Sequence, residues 1–255
     1  MASGAFYDDI GRSYTATRQE DPKLAAAIWA ALGDGRSVLN VGAGTGSYEP
    51  RDRDVLALEP SEVMIAQRPE GAAPVIKGNV EAIPLRDDSV DVAMAVLSDH
   101  HWRDRLAGMG EMRRVARRRV VLFTADPGEF AKFWFVPEYL PEYVDLIPPR
   151  YREAGVWERE LRMGLGMIRL EPVAIPHDCL DGFFGAYWRR PEAYFDETVR
   201  AGISVFARVP AAATERALAA LSADLDSGTW HERHAHLLEL EEIDLGYRLV
   251  IAELK

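Results

Sequence analysis

A chain of 255 residues with 48% hydrophobic content can bury one sizeable core, and no apolar run approaches the ~20 residues needed to cross a bilayer. Its 41 acidic and 30 basic residues give a net charge of -11, which repels a nucleic-acid backbone, so neither a membrane nor a nucleic-acid partner is expected. The one cysteine, Cys179, excludes an internal disulfide, argues against thiolate chemistry, and reads as a small core residue. The start Met1-Ala2-Ser3-Gly4 has no secretory pattern, and the expected location is the cytoplasm.

Residues 3 to 32 read as two helices, the second opened by Asp21 as its cap with Pro22 in the first turn. On the first, Tyr7, Tyr14 and Arg18 are spaced by seven and four, so one face can present all three. A merely docked amphipathic helix is the other reading. An apolar strand at about 37 to 43 then enters Gly42-Ala43-Gly44-Thr45-Gly46, and a second at 55 to 59 ends in Glu59-Pro60. Glycines let the backbone approach a ligand that side chains would exclude, and an acid at the next strand tip can accept from two ribose hydroxyls. The pair reads as a nucleoside-cofactor site. A dinucleotide site needs a third glycine three residues after Gly44, where Ser47 stands, and a long helix facing the phosphates, for which residues 47 to 54 leave little room. An NAD(P)-dependent oxidoreductase is therefore the weaker alternative.

Further strands follow at 73 to 77, 90 to 97 and 119 to 125, with a sixth within Met167–Pro176 and a seventh at Tyr247–Leu254. Strands alternating with helical segments mean a parallel sheet covered on both faces. Between the third and fourth lies Gly78-Asn79-Val80-Glu81-Ala82-Ile83-Pro84, and the fourth leads through Leu97 to Asp99-His100-His101-Trp102. The basic run Arg113–Arg119 joins a helix end to a strand, where cations complement the helix C-terminus.

In this order the segments resemble class I S-adenosylmethionine-dependent methyltransferases, in particular the loosely defined type 11 small-molecule enzymes. The resemblance runs over residues 5 to 126 and the last strand, with Asn79 where the family usually has Asp and Val90 where it has Phe. It implies an α/β fold: a seven-stranded, mostly parallel Rossmann-like sheet with helices on both faces, and a terminal strand antiparallel between the fifth and sixth. S-adenosyl-L-methionine is then the cofactor. The implied contacts are Tyr14 and Arg18 at the methionine carboxylate, Gly42, Ala43, Gly44 and Gly46 in the loop, and Glu59 at the ribose followed by Pro60 and Met64. Asn79, Val80 and Glu81 fall beside the adenine, with Leu97 at the fourth strand tip. The chain reads as a single methyltransferase domain: a helical cover at 1–35, a cofactor core at 36–127, inserts at 128–150 and 181–242, and the terminal strand at 246–255.

Displacement at a sulfonium methyl needs no protein nucleophile, and needs a base only where the acceptor must shed a proton. His100 and His101 stand at a strand tip and are the candidates for that base, with packed structural histidines as the alternative. Asp99 reads as the cap of the helix beginning near Arg103. Residues 128 to 200 hold 14 of the 24 aromatic side chains, which suits either a wall over the active site or a core of the insert. Trp134, Tyr139, Phe184, Tyr187 and Trp188, together with Tyr7, are the candidates for substrate contact, and Arg189 and Arg190 could hold an anionic group or simply be solvated. His231, His234 and His236 do not share one helical face, and no metal is expected. The function expected is methyl transfer to oxygen, nitrogen or carbon of a small-molecule acceptor. A non-catalytic protein of the same fold that binds S-adenosylmethionine or a metabolite is the alternative.

Overall fold

A computed structural model describes residues 17–254; Tyr7, Tyr14 and the first expected helix lie outside the described residues. α1 (Pro22–Ala31) starts at the expected cap, where Asp21 Oδ1 accepts from the backbone N–H groups of Lys23 at 2.9 Å and Leu24 at 3.1 Å.

Seven strands form the main sheet: β1 (Ser37–Val41), β2 (Asp54–Glu59), β3 (Val75–Lys77), β4 (Val90–Val96), β5 (Ala116–Ala125), β6 (Ile168–Pro172) and, last in the chain, β9 (Tyr247–Glu253). Their order is β3-β2-β1-β4-β5-β9-β6, parallel except for β9, which runs antiparallel to both β5 and β6. The expected sheet and the place of its antiparallel strand are both observed. The sixth strand is shorter than its apolar pattern: it stops at Pro172, which has no N–H for the ladder, and Ile175–Pro176 (β7) pairs instead with Glu242–Ile243 (β8).

Alternate side chains along the central strands feed two cores, which is why the strands read as continuous apolar runs. Val38, Val92, Met94, Val121 and Phe123 pack with α1 and the aromatic inserts. Leu39, Ala93, Ala95, Val120 and Leu122 pack with α3 (Arg105–Val115) and α4 (Val156–Leu165), α2 (Glu62–Ala66) being a short helix after β2. The basic run is absorbed by neighbouring acids: Arg114 pairs with Glu111 and Asp87, Arg117 with Asp91, Arg118 with Asp34, and Arg119 with Glu253. The inserts are short helical turns followed by one longer helix, α5 (Ala211–Asp226). Among the described residues no helix is long and apolar enough to cross a membrane.

Candidate active site

β1 lies between β2 and β4, so the connections from its tip and from β4 leave in opposite directions and open a crevice at the carboxyl ends of the strands. The glycine turn is pinned across that crevice. Gly42 N and Ala43 N donate to Leu58 O at 2.8 and 3.1 Å, and Gly46 N donates to Ala43 O at 2.9 Å. Gly42 has φ +66° and a Cβ there would stand 2.7 Å from Ser98 Cβ, so only glycine fits between the tips of β1 and β4. Glu59, 4% exposed, is held by the same turn: Gly44 N donates to its Oε2 at 2.8 Å and Ser61 N to its Oε1 at 2.9 Å. These two amides satisfy a buried charge that the sequence alone left without partners. Behind the turn, Arg68 pairs with Glu49 at 2.8 Å and donates to Gly44 O at 3.2 Å, a buried clamp that local motif reading missed because its halves are 19 residues apart.

A cavity with about 890 Å³ of open space, mouth included, lies over this turn. Gly42, Ala43, Gly44, Glu59 and Pro60 line it, with Met64, Asn79, Val80, Glu81, Leu97 and Arg18. Gly46 is not among its walls: with φ +98° it turns the chain toward the Arg68–Glu49 pair, so its part is conformational rather than contact. Arg18 is held by Asp181 at 2.5 Å, and Tyr48 O–H donates to the same carboxylate at 3.0 Å. The loop after the glycines is thereby tied to the N-terminal segment and the second insert. Asn40, also in the wall, has a buried Oδ1 without a hydrogen-bond partner among the described residues.

A second, larger cavity, with about 1490 Å³ of open space, adjoins the first through Arg18, Leu97 and Trp102, which line both. The adjacent histidines divide between them: His101 lines the first and His100 the second, with ring centroids 3.8 Å apart. His100 is exposed at the wall of the larger cavity, and desolvation by the surrounding walls, opposed by Asp99, takes its pKa down to about 4. Desolvation, then the neighbouring His100, hold His101 well below the usual imidazole range. Both rings are therefore neutral at pH 7 and able to accept a proton.

Asp99 is not a helix cap. Asp104 caps α3 instead, accepting from Ala107 N at 3.0 Å, because Asp104 rather than Asp99 immediately precedes the first helical turn. Asp99 is buried and bound to Arg105 at 2.6 Å; burial works to raise its carboxyl, but Arg105 and His100 hold it below the ordinary range. Arg105 continues to Tyr151 O–H at 3.0 Å and Glu160 at 3.3 Å, and Arg150 meets Glu160 at 2.9 Å. This chain braces the strand tip that carries the histidines.

Of the described substrate candidates only Phe184 lines the larger cavity. Trp134, Tyr139, Tyr187 and Trp188 line neither cavity and form the core of the insert. Trp188 Nε1 donates to Ile175 O at 3.1 Å, Trp134 Nε1 to Trp188 O at 2.9 Å, and Tyr139 O–H to Asp224 at 2.7 Å. Arg190 lies over the Tyr187 ring, 5.0 Å from its centroid, and donates to Cys179 O, while Arg189 donates to Leu240 O. Buried indole and phenol groups need internal partners, and here they find carbonyls and a carboxylate of the insert. The cavity walls come instead from Phe130, Tyr143, Tyr151, Trp157, Phe183 and Tyr247, scattered over more than a hundred residues. Only their aromatic composition hinted at them. His234 packs against Trp134 and Trp230 and meets Glu138 at 3.1 Å, and buried Cys179 has its thiol pushed up to about 12 by desolvation.

The profile of the methyltransferase domain family matches residues 39–124, the span from the glycine turn to the end of β5. A protein from Anabaena variabilis ATCC 29413, assigned as a methyltransferase of an antibiotic biosynthesis pathway, has a crystal structure superposing with a TM-score of 0.82 at 33% identity, over 92% of this chain and 98% of that one. The chain belongs to the S-adenosylmethionine-dependent methyltransferases. As such it is an enzyme, and S-adenosylmethionine is its cofactor. A Thermotoga maritima S-adenosylmethionine-dependent methyltransferase superposes at 0.58 with 16% identity, covering 99% of this chain and 100% of that one. The [4+2]-cyclase SpnF superposes at 0.57 with 18% identity, over 98% and 94%. These last two show the shared fold alone. No curated protein matches the sequence. The residues present suit the cofactor: the turn offers close backbone approach without a phosphate-facing helix, and the orphaned Asn40 oxygen leaves one acceptor in the wall for a ligand donor.

Proposed function

We propose that this methyltransferase acts on a small-molecule acceptor held in the larger cavity, transferring the methyl group to its oxygen, nitrogen or carbon. The observation that carries the reading is the division of the two cavities at Leu97 and Trp102, with one histidine on each side. When bound, S-adenosylmethionine would supply an electrophilic methyl carbon, to which the acceptor's electron pair would bond in line as the carbon–sulfur bond breaks, leaving S-adenosylhomocysteine. The chain's own part is to bind, align and exclude water. Gly42, Ala43 and Gly44 give backbone contact, the Glu59 carboxylate accepts from the ribose, and the Asn79 amide meets the adenine edge. Pro60, Met64, Val80, Glu81 and Leu97 complete the wall, and Arg18 faces the methionine carboxylate. His100 takes the acceptor proton where one must leave, with His101 packed beside it. A concave, aromatic-walled cavity suits a small molecule better than a polymer, and the pathway given for the Anabaena relative supports the same class. Residues 1–255 act as one domain whose inserts at 128–150 and 181–242 build the acceptor side, in a protein we place in the cytoplasm.

Thermal shift against S-adenosylhomocysteine and NAD tests the donor half. A ligand at a hundred times its dissociation constant stabilises the fold by ~2.7 kcal/mol, and we expect that response to S-adenosylhomocysteine alone. A response only to NAD would overturn the reading.

A further inference from the structure

The larger cavity carries an uneven charge. Among the described residues its walls include five arginines, Arg18, Arg103, Arg105, Arg150 and Arg208, against one acid, Asp99, in a chain whose net charge is -11. Three of the five are already neutralised: Arg18 by Asp181, Arg105 by Asp99 and Glu160, and Arg150 by Glu160. Arg103 and Arg208 have no side-chain hydrogen bond or ion pair among the described residues. Of these two, Arg208 belongs to a segment of the second insert that lines the cavity, and it is exposed. It stands on the turn between Gly202 and α5, where Arg208 N donates to Val205 O at 3.0 Å and Ile203, Ser204 and Val205 line the same cavity.

We infer that the acceptor is an apolar, ring-bearing molecule with one carboxylate, and that Arg208 binds that carboxylate while the aromatic walls take the ring. The inference rests on the reading of the larger cavity as the acceptor site. A guanidinium matches a carboxylate through two parallel N–H···O bonds, and the one fork that Arg208 offers suits a monoanion better than a doubly charged phosphate. The surrounding Phe130, Phe184, Tyr143 and Tyr247 supply rings for offset or edge contact with an aromatic body. Arg208 also explains how a protein this acidic admits an anion: among the described residues, Asp99, Glu160 and Asp181 are tied up in the Arg105 and Arg18 pairs.

The test uses two near-isosteric probes, anionic 2-naphthoate and neutral 2-naphthamide, titrated calorimetrically into the full-length protein with and without saturating S-adenosylhomocysteine. Naphthoate should bind about tenfold tighter or more, the preference expected of one charge-assisted pair, and the preference should shrink as salt is raised. Arg208→Gln should weaken naphthoate by about the same factor and leave naphthamide nearly unchanged, with Arg208→Lys falling between. Equal affinities in the wild type, no naphthoate binding at millimolar concentration, or a preference that survives Arg208→Gln would each overturn the inference. Should Arg208→Gln fail to fold, the wild-type preference and its salt dependence decide alone. Absence of S-adenosylhomocysteine binding would count against the cofactor reading, whatever the naphthoate result.

Discussion

The two cavities are built in different ways. The donor side is made by a nearly continuous stretch, residues 40 to 102, with Arg18 added, and much of it is backbone: a glycine turn, its amides on Glu59, and the tips of β1, β2 and β4. The acceptor side takes side chains from Arg18, from the segment after β4, from the end of β5, from both inserts and the stretch between them, and from Tyr247 near the end of the chain. A backbone site leaves a local signature, because only glycine fits where a Cβ would strike Ser98. A side-chain cavity leaves none, since the same aromatics serve equally well as core.

That contrast can be broken first at the insert. Trp188→Ala should cost about 3–5 kcal/mol of stability by urea unfolding, as for other buried aromatic truncations, because Trp188 is fully buried and donates to two carbonyls. A stable variant with impaired acceptor binding would return Trp188 to the substrate wall. On the donor side, Glu59→Ala should weaken S-adenosylhomocysteine roughly 100- to 1,000-fold by calorimetry, from losing hydrogen bonds to a charged acceptor. Unchanged affinity would remove the ribose role. At the boundary, His100→Asn should lower the methylation rate about 100-fold once an acceptor is in hand, with cofactor affinity intact. Equal rates for wild type and variant would leave His100 a packing residue.

A smaller effect concerns pH. The folded protein keeps His100 neutral down to about pH 4, whereas an unperturbed imidazole protonates near 6.5. Between these values the unfolded chain binds more protons, so the melting temperature should fall as pH drops from about 6.5 to about 4. Asp99, with its carboxyl held below the ordinary range, adds a further loss at still lower pH. The variant carrying both His100→Asn and His101→Asn should show a flatter profile across the upper window. Least of all, Arg189→Gln should change stability by no more than about 0.5 kcal/mol and leave acceptor binding alone, since Arg189 only caps Leu240 O. A clear loss of acceptor affinity would contradict its placement outside the cavity.

Much of the fold was legible before the structure. The apolar runs at β1, β2, β4, β5 and β9 mark buried strands, and the turn after Val41 with Glu59 marks the cofactor crevice. The misreadings share one cause. Asp99 looked like a cap because it precedes a helix, and Trp134, Tyr187 and Trp188 looked like pocket walls because they crowd near a strand tip. Each is decided by partners far away in sequence: Arg105 and Glu160, or the carbonyls of Ile175 and Trp188.

The sequence by itself determined the strands and the donor turn, because these depend on short-range constraints: strand periodicity, glycine conformation and a carboxylate at a strand end; the methyl donor followed from the family these segments resemble. Tertiary structure decided which aromatics line the larger cavity, which of its arginines lack a side-chain partner among the described residues, and which side of the boundary each histidine lines. Those facts are set by packing between distant segments, and a linear pattern of residue types carries no record of which neighbour neutralises which charge.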